Sequence, residues 1–242
     1  LAWRDIKVRY KQTLLGVLWA VIQPLATMVV FSVFFGRLGN LPSDGLPYPI
    51  FSLTAVVPWQ LFHYSLTFSS MSMVTEARLI TKVYFPRLVI PLASVLAGLV
   101  DFAIAMCVLF VIMAFYGVTP TTNIVLLPLF VGLVVLAALS VGLWLSALNV
   151  RYRDVRHAVP FFAQMWLFAS PVAYSSNSVP EAWQWLYGLN PMAGVIEGFR
   201  WALLGTAPPM VTIYVSALCS GAALVGGLYY FRYTEKSFAD II

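Results

Sequence analysis

Between Asp101 and Arg151 the chain runs for 49 residues without an Asp, Glu, Lys or Arg. As helix this stretch measures about 73 Å, enough to cross a hydrocarbon core twice at about 20 residues per span. Soluble domains carry roughly 25% charged residues, against 10% here. Within the run, "VLLPLFVGLVVLAAL" lacks the period-two alternation of a transmembrane β-strand. The sequence therefore predicts an all-α, polytopic membrane protein, with 1–242 forming a single domain.

Six spans follow from the apolar pattern, at about 14–36, 50–74, 88–116, 124–148, 158–174 and 210–231. Pro160 and Pro171 predict a kinked or broken fifth span. The aromatic segment 178–205 is cut by Pro and Gly into pieces too short to cross. Ser178 and Glu181 have capping-box spacing around Pro180, which starts one short helix. Asn190 and Pro191 start a second, ended by Gly205. That second piece would be about 21 Å long against a core of about 30 Å. Two short re-entrant helices dipping in from the outer face are expected.

Charge sets the orientation. Twelve of the fourteen Lys and Arg residues fall in the N-terminus, the second-to-third loop, the fourth-to-fifth loop and the C-terminus, leaving only Arg37 and Arg200 opposite. Both termini are therefore expected to be cytoplasmic. This bias accounts for the net charge of +5, so no nucleic-acid partner is expected. The basic start leads into a span of ordinary length with no small-residue cleavage pattern after it, so no cleavable signal peptide is expected. Cys107 and Cys219 lie in apolar runs without metal-ligand spacing, and read as small apolar residues. His63 and His157 stand far apart and read as interfacial. Neither GxxxxGK[ST] nor HExxH nor GxSxG occurs, so ATP chemistry would have to come from another chain. Asp101, near the start of the third span, is either a functional intramembrane acid or a partner for loop arginines.

The opening stretch "RDIKVRYKQTLLGVLW", at 4–19, is basic directly before the first apolar run. On a helical wheel Trp3, Ile6, Tyr10 and Val17 share one narrow face with Thr13 on its edge. Arg4, Lys7 and Lys11 cluster beside it, and Asp5 can pair with Arg9 at i,i+4. This predicts an amphipathic helix over 1–13 lying in the membrane interface. Its basic side either meets phosphate or merely orients the first span.

Three stretches together resemble a known family. "RDIKVRYKQTLLGVLWAVIQPL", "LNVRYRDVRHAVPFFAQMWLFASPVAY" and "LNPMAGVIEGFRWALLG" are similar to the membrane subunit of ABC-2 type polysaccharide exporters, above all those that export O-antigen, with teichoic-acid exporters as near relatives. The resemblance covers nearly the whole chain, in order. It implies a permease of the bacterial cytoplasmic (inner) membrane that is not itself an enzyme. It further implies a homodimer joined by two separate ATP-binding subunits, which hold ATP and Mg, this chain carrying no cofactor. The cargo implied is a long glycan on undecaprenyl diphosphate, passing through a channel at the dimer centre. Arg4, Lys7, Arg9 and Lys11 would then meet the lipid diphosphate. Residues 76–87, with Glu76, Arg78, Lys82 and Arg87, would form the coupling loop on the ATPase. Residues 178–205, with Trp183, Trp185, Tyr187, Glu197 and Arg200, would be the periplasmic gate helices.

A glycan slides on aromatic faces without needing a fixed hydrogen-bond pattern. Trp19, Phe34, Trp59, Phe62, Phe161, Trp166, Phe168 and Tyr174 are the candidates to line such a channel, although aromatic residues also gather at membrane interfaces and pack against lipid. Teichoic acid or capsule polysaccharide is the alternative cargo, and a small-molecule exporter is a more distant one. A membrane-embedded glycosyltransferase acting on lipid-linked sugars would need an acidic set that Asp5, Asp101, Asp154 and Glu197 do not form. A passive channel would need no ATPase.

Overall fold

The computed structural model describes residues 2–11, 16–83, 85–152, 154–176, 179–207, 210–236 and 238, with the side chains of 5, 8–11 and 181 excepted. Among the described residues every regular element is helical. Helix α1 (Ala2–Lys11) precedes α2 (Gly16–Phe31), which continues into a π-helical stretch, Ser32–Leu38. Next come α3 (Tyr48–Thr75), the six-residue α4 (Ala77–Lys82) and α5 (Val89–Phe115). A 3-10 turn at Thr122–Leu126 leads into α6 (Leu127–Arg151), followed by α7 (Val155–Ala169). A 3-10 turn at Glu181–Trp183, α8 (Gln184–Tyr187) and α9 (Pro191–Leu204) then precede α10 (Met210–Glu235).

Among the described residues, four stretches are long and apolar enough to cross a membrane: Gly16–Leu38, Val89–Phe115, Thr122–Arg151 and Met210–Glu235. The two other expected spans differ for physical reasons. α3 has ample length at 28 residues, but eighteen of them are buried, so its neighbours are other helices and its sequence can be less greasy. The hydroxyls of Thr54, Ser70, Ser72 and Thr75 donate to carbonyls three or four residues back, which satisfies them within the helix. α7 stops after 15 residues, about 22 Å. Ser170 turns extended, with φ −104 and ψ 152, as the residue before a proline tends to, and Pro171 cannot carry the helix on. The expected break falls there, whereas Pro160 lies inside α7 without ending it.

α3 is the hub, packed against α5 and α6 and touching α2, α7 and α9. The main core joins Leu53, Val57 and Phe62 of α3 to Met106 and Leu109 of α5, Phe130 and Val134 of α6, and Phe199 and Leu203 of α9. Gly198 permits the α9–α6 approach: a Cβ there would lie 2.1 Å from the Phe130 ring. A second cluster gathers Met73, Ile80, Ile90, Leu143, Val150, Phe231 and Phe238, where α3 ends and α5 begins. At this end Arg87 donates to the Glu235 carbonyl and Arg4 pairs with Glu76. At the other end Tyr48 donates to the Ala173 carbonyl at 2.6 Å, and Ser175 to Asp44 at 2.8 Å.

Candidate functional site

Three places in the fold gather the candidate residues. The first is the region around α9. Its limits are those legible in the sequence: Asn190 caps the start, and Gly205, in the left-handed conformation at φ 72, closes the end. The proposed Ser178 cap lies outside the described residues. Asn190 does more than cap. Its Oδ1 accepts from the Met192 N–H at 3.0 Å and from Trp166 Nε1 at 2.9 Å. Its Nδ2 donates to the Ala169 carbonyl at 3.1 Å and to Ser170 Oγ at 3.0 Å. One side chain thus fastens the start of α9 to the end of α7.

Arg200 makes the second fastening. It is fully buried, and donates through Nη1 to Glu197 at 2.9 Å and to the Tyr174 carbonyl at 3.2 Å. Nη2 donates to the Val172 carbonyl at 3.2 Å, and the guanidinium lies 3.6 Å from the Phe51 ring centre. Glu197, also buried, matches its charge one turn away. Arg200, one of the two cations that lie outside the expected cytoplasmic segments, is therefore neutralised inside the protein instead of sitting in a loop. Tyr174 and Tyr187 share a hydrogen bond of 2.8 Å between their hydroxyls. Ser216 of α10 lies 2.9 Å from the carbonyls of both Gly188 and Asn190, and accepts from the Gly194 N–H. The segment after α7, with α8 and α9, is held as one unit against α3 and α10. Trp183 and Trp185 remain exposed on its surface.

The second place is a cavity of about 870 Å³ between α2, α3, α5 and α7. Trp19, Trp59 and Tyr64 line it with aromatic rings, and Gln23, Gln60 and Gln164 line it from three helices, together with His63 and Asp101. Rings and amides in one wall suit a molecule with both apolar C–H faces and hydroxyls. Of the other aromatic candidates, Phe34, Phe161 and Phe168 are exposed on the π-helical stretch and on α7. Phe62 is fully buried and meets Trp166 edge-on at 5.3 Å. Because α3 is the central helix, that ring serves the packing of α3 against α7. Trp166 and Tyr174 are held by their bonds to Asn190 and Tyr187.

The third place is the end where α1 meets α4. Arg4 and Lys7 are exposed, Lys7 lying 5.4 Å over the Trp3 ring. The side chains of Arg9 and Lys11 lie outside the described residues. Arg78 and Lys82 are exposed on α4 while Ile80 of the same helix is buried. α4 is thus pinned by one apolar residue and offers two cations to water. Arg87 is half-buried and is used internally on Glu235.

The sequence reading missed the tying role of Asn190 and the three cavity glutamines. The signal for the glutamines was available, since an amide in a long apolar run is expensive unless it bonds or works. Comparison with known proteins gives a consistent picture. A family model described as ABC-2 type transporter matches residues 1–204. The chain is 32% identical over 240 residues to the O-antigen export system permease protein RfbA of Klebsiella pneumoniae, covering 99% of this chain and 92% of that protein. It is 30% identical over 204 residues to the RfbA of Myxococcus xanthus, covering 83% and 77%. The polysialic acid transport protein KpsM of Escherichia coli is 24% identical over 241 residues, covering 97% and 92%.

Proposed function

Because the chain belongs to the ABC-2 type transporter family, we propose that it is the permease subunit of an ATP-driven exporter. Its cargo is a polysaccharide on undecaprenyl diphosphate, of the O-antigen kind, moved across the bacterial inner membrane. The observation that carries this reading is the similarity to O-antigen export permeases over 99% of the chain. Polysialic acid transport proteins among the relatives favour a capsule-type or teichoic-acid glycan as the second choice of cargo, ahead of a small molecule.

In this reading six segments cross the membrane: α2 with its π-helical end, α3, α5, α6, α7 with residues 170–176, and α10. α8 and α9 are re-entrant gate helices on the periplasmic side, and both termini are cytoplasmic. Two copies of the chain pair with two ATP-binding subunits, which hold ATP and Mg. The exposure of Arg78 and Lys82 around a buried Ile80 supports α4 as the coupling helix. The exposed rings of Trp19, Phe34, Phe161 and Phe168 support a channel along α2 and α7, with Trp59 deeper in the wall. Closure of the ATPases shifts α4, and the shift passes through the second core cluster into α3, α5, α6 and α10. No covalent chemistry falls to this chain. Deleting its gene should strip the glycan from the cell surface and accumulate lipid-linked glycan inside, and re-expression should reverse both effects. Normal surface glycan in the deletion strain would reject the reading.

A further inference from the structure

Two segments that the sequence presents separately, the basic α1 and the start of the short α4, are brought together by Arg4 and Glu76. Arg4 Nη2 pairs with one Glu76 oxygen, and Nη1 faces the other at 3.4 Å, across 72 positions of sequence. Glu76 sits at the joint between two helices. Its N–H donates to the Ser72 carbonyl at 3.0 Å, while its own carbonyl accepts from Leu79 and Ile80 at 2.9 and 3.1 Å. The pair is open to solvent, with side-chain exposures of 50% for Arg4 and 22% for Glu76. α1 itself rests on α5 and α2.

We propose that the Arg4–Glu76 pair is a tie that a diphosphate undoes. A diphosphate arriving at α1 takes the Arg4 guanidinium from Glu76 and frees α4 to reorient about the buried Ile80. This rests on the headgroup and coupling roles given above, and makes cargo arrival a regulator of the ATPase contact. The chemistry is one of competition: the planar guanidinium can bond two oxygens of either a carboxylate or a phosphate, and phosphate brings more charge. An exposed ion pair shifts an equilibrium only about two- to fivefold, so a ligand of modest affinity can displace it. The buried Glu197–Arg200 pair is sealed from any such exchange.

The test uses the full chain in neutral-lipid nanodiscs, with Cys107→Ala and Cys219→Ala, spin labels on Ala2→Cys and Thr81→Cys, and distances measured by pulsed dipolar spectroscopy. With labelled chain diluted into excess unlabelled chain, so that a dimer holds at most one labelled copy, wild type should give one narrow distance. Glu76→Gln and Arg4→Gln should each broaden it without ligand, and the exchange Arg4→Glu with Glu76→Arg should restore it. Undecaprenyl diphosphate should move wild type toward the Glu76→Gln distribution. If inorganic pyrophosphate alone does the same, the tie answers to soluble diphosphate; if only the lipid does, it answers to the membrane cargo. The tie is overturned if Glu76→Gln matches wild type, if the exchange fails to restore the distance, or if neither diphosphate moves it. Surface glycan in cells carrying Glu76→Gln separates the two claims. Normal export with an unchanged distance removes the tie and leaves the exporter reading intact.

Discussion

Replacing Arg200 tests how α9 and the segment after α7 are held together. Arg200→Met leaves Glu197 buried without its partner, which costs about 3–5 kcal/mol. It also removes the donor to the Val172 and Tyr174 carbonyls, at about 1 kcal/mol each. The sum is about 6 kcal/mol, or a fall of about 18 °C in Tm at about 3 °C per kcal/mol for a chain of this size. Adding Glu197→Leu removes the stranded charge, so the double variant should lose only about 2 kcal/mol, or about 6 °C. Thermal unfolding of the full chain in nanodiscs, followed by tryptophan fluorescence, measures both. The double variant should still export poorly, because the segment after α7 no longer has its anchor. A single variant as stable as wild type, or a double no better than the single, would refute the argument that the pair carries this region.

Asn190→Ala should cost about 3 kcal/mol, from a lost helix cap and lost ties to α7, with Asn190→Asp between it and wild type in the same melt. Trp166→Phe keeps the ring on Phe62 and loses one hydrogen bond, so a fall of about 1 kcal/mol is expected; a larger loss would mean the indole packs in ways Phe cannot copy. Gly198→Ala drives a Cβ into the Phe130 ring and should cost about 3 kcal/mol, with Phe130→Leu in the same chain recovering part of it. Arg78→Glu with Lys82→Glu should leave Tm within about 2 °C, since both are exposed. The same change should abolish ATP hydrolysis coupled to export, and unimpaired export would remove α4 from the ATPase contact.

Much of this fold is written locally in the sequence. The α9 limits were legible because Asn190, Pro191 and Gly205 act on their own backbone and need no partner. The apolar runs of α5, α6 and α10 were legible because lipid contact demands continuous hydrophobicity. α3 was harder to weigh: a helix surrounded by helices can carry Ser and Thr that bond to its own carbonyls, and hydropathy then understates it. The break in α7 was visible in Pro171, while the clasp around that break was not. It depends on Arg200, Asn190 and Tyr48 reaching carbonyls and rings set by distant parts of the chain. The Arg4–Glu76 contact was hidden for the same reason, since charge spacing names partners only within a helix turn.

The central claim is that this chain moves a lipid-linked glycan only when ATP is spent beside it. The direct measurement places the chain, with an ATP-binding subunit of the same exporter, in proteoliposomes loaded with undecaprenyl-diphosphate-linked glycan. Translocation is read by a glycosidase confined to the far side. Cleavage should require ATP, both subunits and intact Arg78 and Lys82. Cleavage at the same rate without ATP, or without this chain, would contradict the account.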